Sequence, residues 1–85
     1  MFSGKISGAY IFVFEKKRRM DMHMMFVFFP IDVLFLDESK KIVEMKENFL
    51  PFSFYYSKNM AKYVIELPNN SIKKFKLKLD DVLKF

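Results

Sequence analysis

Cysteine, tryptophan and glutamine are absent from this sequence, and histidine, glycine and arginine occur only once, twice and twice. Each shortage excludes something. Without cysteine there is no disulfide and no thiolate metal site. One histidine cannot build a zinc centre, which needs three or four ligands. Two glycines cannot supply the Gly-rich loop whose backbone cradles a phosphate, and the six serines include no G-x-S-x-G nucleophile turn. The longest uninterrupted apolar run, Met24 to Ile31, covers eight residues, whereas a bilayer-crossing helix takes about 20. The opening MFSGKISGAY reaches EKKRR before any cleavable apolar core forms. These features lead to the expectation of a cytoplasmic protein with no membrane partner, no cofactor, no metal and no catalytic set.

Apolar mass is abundant: 52% of the 85 residues are hydrophobic, with 12 Phe and 4 Tyr. Large aromatics bury much surface per residue, which suits a single domain, residues 1–85, near the lower size limit for folding without staples. The same richness exceeds what a small sphere hides, so some apolar surface is expected to meet a partner, a homo-oligomer being the simplest. The formal charge is +5 and the pI about 9.5. A basic balance permits polyanion binding but by itself speaks mostly to solubility. The Lys-rich, Gln-free composition is thermophile-like.

Period-two patterns dominate the chain. In Gly8 to Phe14, Tyr10, Phe12 and Phe14 alternate with Ala9, Ile11 and Val13, which predicts a strand buried on both faces and ended by a charged loop at Glu15–Arg19. A second strand is predicted over Met20 to Phe29, bent at Pro30 and continued by Ile31 to Leu36. Proline disfavours helix in the residue before it and marks a bend or an edge in a strand. LDESKK then turns the chain into a hairpin with Ile42 to Lys46. The segment Glu47 to Asn59, broken by Pro51 and rich in aromatics, reads as a loop laid on the core. In KYVIEL, Tyr63, Ile65 and Leu67 face one way and Val64 and Glu66 the other. Ser71 is placed to cap a helical turn through Phe75, and Val82 to Phe85 reads as a terminal strand. The pattern predicts an all-β domain of five to six short strands with one short helical turn, closed as a small barrel or sandwich.

Candidate site residues are few. His23, Asp32 and Glu66 are the titratable groups that would line a cleft near Pro30. Each also has a plainer explanation. An acid after Pro-Ile at a bend accepts backbone N–H bonds and fixes the turn, and Glu66 is expected to pair with Lys62 or a cross-strand lysine. The methionines Met20, Met22, Met24 and Met25 fit packing better than a soft-metal site. Two basic groups, Lys16, Lys17, Arg18 and Arg19, then Lys73, Lys74, Lys76 and Lys78, stand in a chain that also offers Phe52, Phe54, Tyr55 and Tyr56 for stacking.

Three blocks, GAYIFVF at Gly8 to Phe14, HMMFVFFPIDVLFLD at His23 to Asp37 and YVIELP at Tyr63 to Pro68, together resemble the Domain of Unknown Function 192 family, also called uncharacterised protein family 127. That family runs from an apolar strand ending in Phe-Val-Phe to Pro-Leu-Asp, Phe-Leu-Asp and a Tyr-Val-Leu-Glu-Leu-Pro strand. This chain departs from it in three places. No Arg-Gly-Leu-Met-Phe-Arg segment opens it, His23, Met24, Met25, Phe26 and Val27 replace a Trp-Met-Lys-Asn-Thr motif, and Asp80 stands where the family has a glycine before Asp81. The resemblance implies a compact, mainly β barrel-like or sandwich fold with a short helix before the last strands. It implies no activity.

The residues therefore favour a small non-catalytic binding or protein-interaction module with a ligand of unknown identity. A β-barrel that binds single-stranded nucleic acid through its lysines is the second reading, and an enzyme the third.

Overall fold

In the computed structural model, residues 10–18, 21–23, 30–50 and 54–85 are described. The elements run β1 (Tyr10–Arg18), β2 (Asp21–His23), β3 (Ile31–Leu36), β4 (Ile42–Phe49), β5 (Phe54–Tyr56), β6 (Ala61–Pro68) and α1 (Ser71–Lys74). Four strands form one antiparallel sheet in the order β1-β6-β3-β4, and β2 and β5 form a separate ribbon. The fold is all-β with one short helix. Its main sheet is open, since among the described residues β1 and β4 do not pair. Of the two closures predicted, the small sandwich fits and the barrel does not.

The central strand explains the arrangement. All six residues of β3 are buried. Its even positions Leu34 and Leu36 join Ile42, Ile65, Leu67, Ile72, Leu77 and Leu83 on one face. Its odd positions Ile31, Val33 and Phe35 join Phe49, Ala61 and Val64 on the other, with Tyr55 packed against them. The first face is covered by α1 and the C-terminal segment, the second by the ribbon. A strand apolar on both sides needs cover on both, which two thin layers provide.

Turn chemistry sets the register. Between β3 and β4, the Lys40 N–H donates to the Asp37 carbonyl (3.0 Å), and the N–H groups of Ser39 and Lys41 donate to Asp37 Oδ1 (2.8 and 3.0 Å). Lys40 itself takes a positive φ of 63°. This is a tight turn followed by a left-handed residue, with the Asp side chain satisfying the exposed amides.

The helix ends in a Schellman arrangement. The Leu77 N–H donates to the Ile72 carbonyl (2.9 Å) and the Lys76 N–H to the Lys73 carbonyl (3.2 Å), with Lys76 at φ 54°. Ile72 and Leu77 meet in the core beneath, the hydrophobic contact this motif carries. Lys76 thus holds the position that usually goes to glycine. Asp80, where the resembled family has glycine, likewise takes φ 72°. Asp visits this region more readily than most residues, which makes it an adequate substitute.

Several expectations are corrected. β1 does not end before a charged loop but runs on to Arg18, and its residues Tyr10 to Val13 are exposed rather than buried on both faces. The predicted terminal strand is a single bridge between Lys41 and Val82. Ser71 does not cap α1: Asn70 is the N-cap residue without a side-chain bond, and Ser71 Oγ donates to the Pro68 carbonyl (2.6 Å). Part of the aromatic segment after Glu47 is ordered as β4 and β5. Of the strand expected over Met20 to Phe29, β2 is described, while 24–29 lie outside the described residues.

Candidate functional site

Asp32 is fully buried, and both of its oxygens are occupied by the backbone. β4 carries one extra residue opposite Ile31–Val33. Within that bulge Asn48 takes φ 51°, and its N–H donates to Asp32 Oδ1 (3.0 Å). Asp32 Oδ2 accepts the N–H of Ile72 (2.9 Å) in the first turn of α1. One carboxylate therefore stitches the bulge to the helix and replaces the missing side-chain cap. Both oxygens are thus engaged in holding backbone in place.

A second buried carboxylate, 7% exposed, is Glu44 on β4. It accepts hydrogen bonds from the Tyr55 hydroxyl, from the N–H of Lys58 (2.9 and 3.1 Å), from the N–H of Asn59 (2.8 Å) and from Asn59 Nδ2 (3.0 Å). Burial pushes its carboxyl up, but the bonds from Tyr55, Asn59 and Lys58 outweigh this and hold it below its ordinary value. Burial, then the Glu44 bond and charge, push the Tyr55 phenol up to about 12. The Tyr55 ring meets Phe35 (5.8 Å between centroids) and Phe49 (6.2 Å). This cluster fastens the ribbon and the 57–59 turn to the sheet. A groove of about 290 Å³ opens beside it along β4, lined by Val43, Glu44, Met45, Tyr55, Lys58, Asn59 and Leu79. Sequence reasoning missed Glu44 because IVEMKENF looks like an ordinary amphipathic strand. Its signal is tertiary.

Glu66 differs from both. It lies in β6 between Tyr10 of β1 and Val33 of β3. Burial pushes its carboxyl above the ordinary value, and its side chain makes no ion pair among the described residues. Lys62, its expected partner, donates instead to the main-chain oxygens of Phe14 (3.0 Å) and Glu15 (3.1 Å), where β1 bulges away from β6.

Of the three predicted cleft residues, Asp32 and Glu66 point away from each other, and the side chain of His23 lies outside what is described. Asp32 pairs across from Leu67 and Glu66 from Val33, so their side chains leave opposite faces of the sheet. His23 belongs to the ribbon, its backbone paired with Phe54. The described backbone positions of the basic groups also lie apart. Arg18 pairs with Ala61 at the start of β6, so Lys16, Lys17 and Arg18 lie on edge strand β1, whereas Arg19 falls outside the described residues. Lys73, Lys74 and Lys76 follow the far end of β6, and Lys78 precedes Leu79 beside β4, the opposite edge. Among the described residues no three His, Asp or Glu side chains converge as a metal site, and no helix is long and apolar enough to cross a membrane.

Among the described residues β1 ends the sheet order, and its Tyr10 (64% exposed), Ile11 (41%), Phe12 (45%) and Val13 (63%) present apolar side chains on both faces. Small monomeric proteins blunt such edges with charges, bulges or cover. Here the charges begin only at Glu15.

A family model described as DUF192, Uncharacterized ACR, matches residues 5–85. A UPF0127 protein of Thermococcus sibiricus is 37% identical over 70 residues, covering 80% of this chain and 45% of its own length. A UPF0127 protein of Pyrococcus abyssi is 36% identical over 72 residues, covering 85% of this chain and 61% of its own. The chain thus spans about half the length of the curated relatives it matches. A solved structure from Sinorhizobium meliloti, called a "putative transcription regulator", superposes with a TM-score of 0.82 at 28% identity over 87% of this chain and 59% of that one. A protein of unknown function from Novosphingobium aromaticivorans, at 15% identity, shares the fold with a TM-score of 0.83, covering 91% of this chain and 56% of its own.

Proposed function

The chain belongs to the DUF192 family, whose members are uncharacterised, and from that premise we propose that it is a small, non-catalytic protein-interaction module working in the cytoplasm. The observation that carries the reading is the exposed apolar side chains of β1, Tyr10 to Val13. The buried acids support it from the other side: Asp32 and Glu44 are spent on backbone and tyrosine donors, so neither joins an acid–base set among the described residues. A photo-crosslinking group at Val13, used in extract of the source organism, tests it. Products joining this position to a second polypeptide are expected, and their absence across working concentrations would sink the reading.

A second reading, polyanion binding, has one observation in its favour. Lys73, Lys74, Lys76 and Lys78 are all exposed along one continuous segment, beside the exposed Leu79. The name carried by the Sinorhizobium meliloti structure agrees with it. Titration with single-stranded RNA and DNA at low salt decides: binding that weakens steeply with salt supports it, and no binding ends it.

A further inference from the structure

The exposed lysines that follow β6 lead toward the groove beside β4. Leu79, next in the chain after Lys78, lines that groove, and Lys58 lines it from the turn before β6. Resting on the polyanion reading above, we propose that one base of a single-stranded nucleic acid seats in this groove, with the flanking phosphates held by Lys58 and Lys78.

The walls of the groove are fixed to β4. The Asp80 N–H donates to the Ile42 carbonyl (2.9 Å) and the Ile42 N–H to the Asp81 carbonyl (2.8 Å), which fastens the C-terminal segment. Two residues further along β4, Glu44 accepts the N–H groups of Lys58 (2.9 Å) and Asn59 (2.8 Å). The two walls therefore meet the strand about 6.6–6.8 Å apart, two strand steps. One nucleotide of an extended single strand spans a similar length. Both lysine side chains are exposed. Their backbones are pinned, Lys58 by Glu44 and Lys78 by its N–H bond to Asp81 Oδ2 (3.0 Å). The two ammonium groups thus start from fixed points on either wall.

Chemistry divides the strand between groove and walls. Glu44 lines the groove as a carboxylate that accepts from Tyr55, Lys58 and Asn59. A phosphate entering there meets a negative charge, whereas a neutral base does not. Val43, Met45 and Leu79 offer apolar contact to a ring, and methionine sulfur is favourable against aromatic systems. The volume of about 290 Å³ lies at the small end of ligand sites, which suits a single ring system. Outside the groove, Lys73, Lys74 and Lys76 extend the positive track and outweigh Asp80 and Asp81. A basic track with a seat for a base holds single strands with little sequence preference.

Fluorescence anisotropy with a labelled strand of about ten nucleotides tests the assignment. Binding is expected to weaken with salt along a log–log slope of about −3, from roughly four or five phosphate contacts. Lys58→Glu and Lys78→Glu are each expected to weaken it at least about fivefold, and Lys16→Glu, on β1, by less than about twofold. An abasic strand of the same length is expected to bind at least about fivefold more weakly than the intact one. The unaltered chain supplies a further readout: a strand carrying iodouracil is expected to crosslink under ultraviolet light to the peptide holding Met45 or Tyr55. The inference is overturned by equal affinity for the abasic strand, by crosslinks confined to β1, or by Lys16→Glu weakening binding as much as Lys58→Glu. Each of these leaves the polyanion reading standing. No binding to any strand at low salt ends both, and retention on phosphatidylglycerol vesicles would then assign the lysines to a lipid surface.

Discussion

Asp32 and Glu44 stand on opposite faces of one sheet, and each binds a covering layer to it. Asp32 holds α1 and the β4 bulge through two backbone amides. Glu44 holds the ribbon and the following turn through the Tyr55 hydroxyl, two backbone amides and an asparagine amide. The comparison teaches how a chain with no disulfide fastens thin layers to a central sheet. A carboxylate that accepts several N–H bonds draws irregular backbone onto a buried surface, and each bond to a charged acceptor is worth about 1.5–3 kcal/mol. The difference lies in exposure to titration. Glu44 is linked to a second ionisable group, Tyr55, whereas Asp32 is linked only to amides.

The largest effect is expected at Asp32. Asp32→Ala leaves two amides without their acceptor, one of them buried, and should cost about 3–5 kcal/mol in a denaturant titration. For a chain this size that is a large share of the total stability. Glu44→Gln keeps the shape but turns one acceptor oxygen into a donor, and is expected to cost about 2–3 kcal/mol. Hydrogen exchange separates the two: the Glu44 change should release protection at 54–59 first, the Asp32 change at 71–85. Uniform loss in both variants would break the comparison.

Next comes the pH dependence of the Glu44–Tyr55 pair. Glu44 has a lowered carboxyl in the folded state, so its contribution is present above the unfolded value and lost as pH falls through the folded one. Tyr55 is raised from 10.0 to about 12, so its contribution is present below pH 10 and lost between about 10 and 12. Tyr55→Phe is expected to remove that alkaline limb and cost about 1 kcal/mol at neutral pH, as thermal melts across pH would show.

Smaller changes sharpen the account of the covering layers. Lys76→Gly fits the left-handed position that ends α1 and should stabilise by about 0.5–1 kcal/mol. Glu66 gives the smallest effect and the opposite sign. Its raised carboxyl means that the folded state holds the proton more tightly, so stability falls as pH rises from the unfolded value through the folded one. Glu66→Gln is therefore expected to raise the melting temperature slightly at pH 7 and to leave it nearly unchanged in acid.

Much of the sheet was legible residue by residue. Tyr63, Ile65 and Leu67 alternate with Val64 and Glu66 in the structure as in the pattern, because a half-buried strand exposes its parity directly. The 37–41 turn was legible too, since Asp37 supplies the oxygen its amides need. The candidate site was much less so. Asp32 drew attention because an acid among Ile, Val and Leu is conspicuous, but nothing local revealed that Asn48 and Ile72, 16 and 40 residues away, would donate to it. Glu44 was invisible for the same reason without the conspicuous setting. The exposure of β1 was misread, since alternation reports which residues share a face and not whether a neighbouring strand covers it.

By itself, then, the sequence determined the family, the all-β class and the facing of β3 and β6, because these depend on local periodicity and on blocks of adjacent residues. Only the tertiary structure decided that Tyr10 to Val13 of β1 would be exposed, that two acids would spend their charge on holding layers in place, and that Asp32 and Glu66 would leave opposite faces of the sheet. Those outcomes depend on strand order and on amides distant in the chain, and the hydrogen-bonding needs of a buried carboxylate are met by whichever backbone the fold brings near.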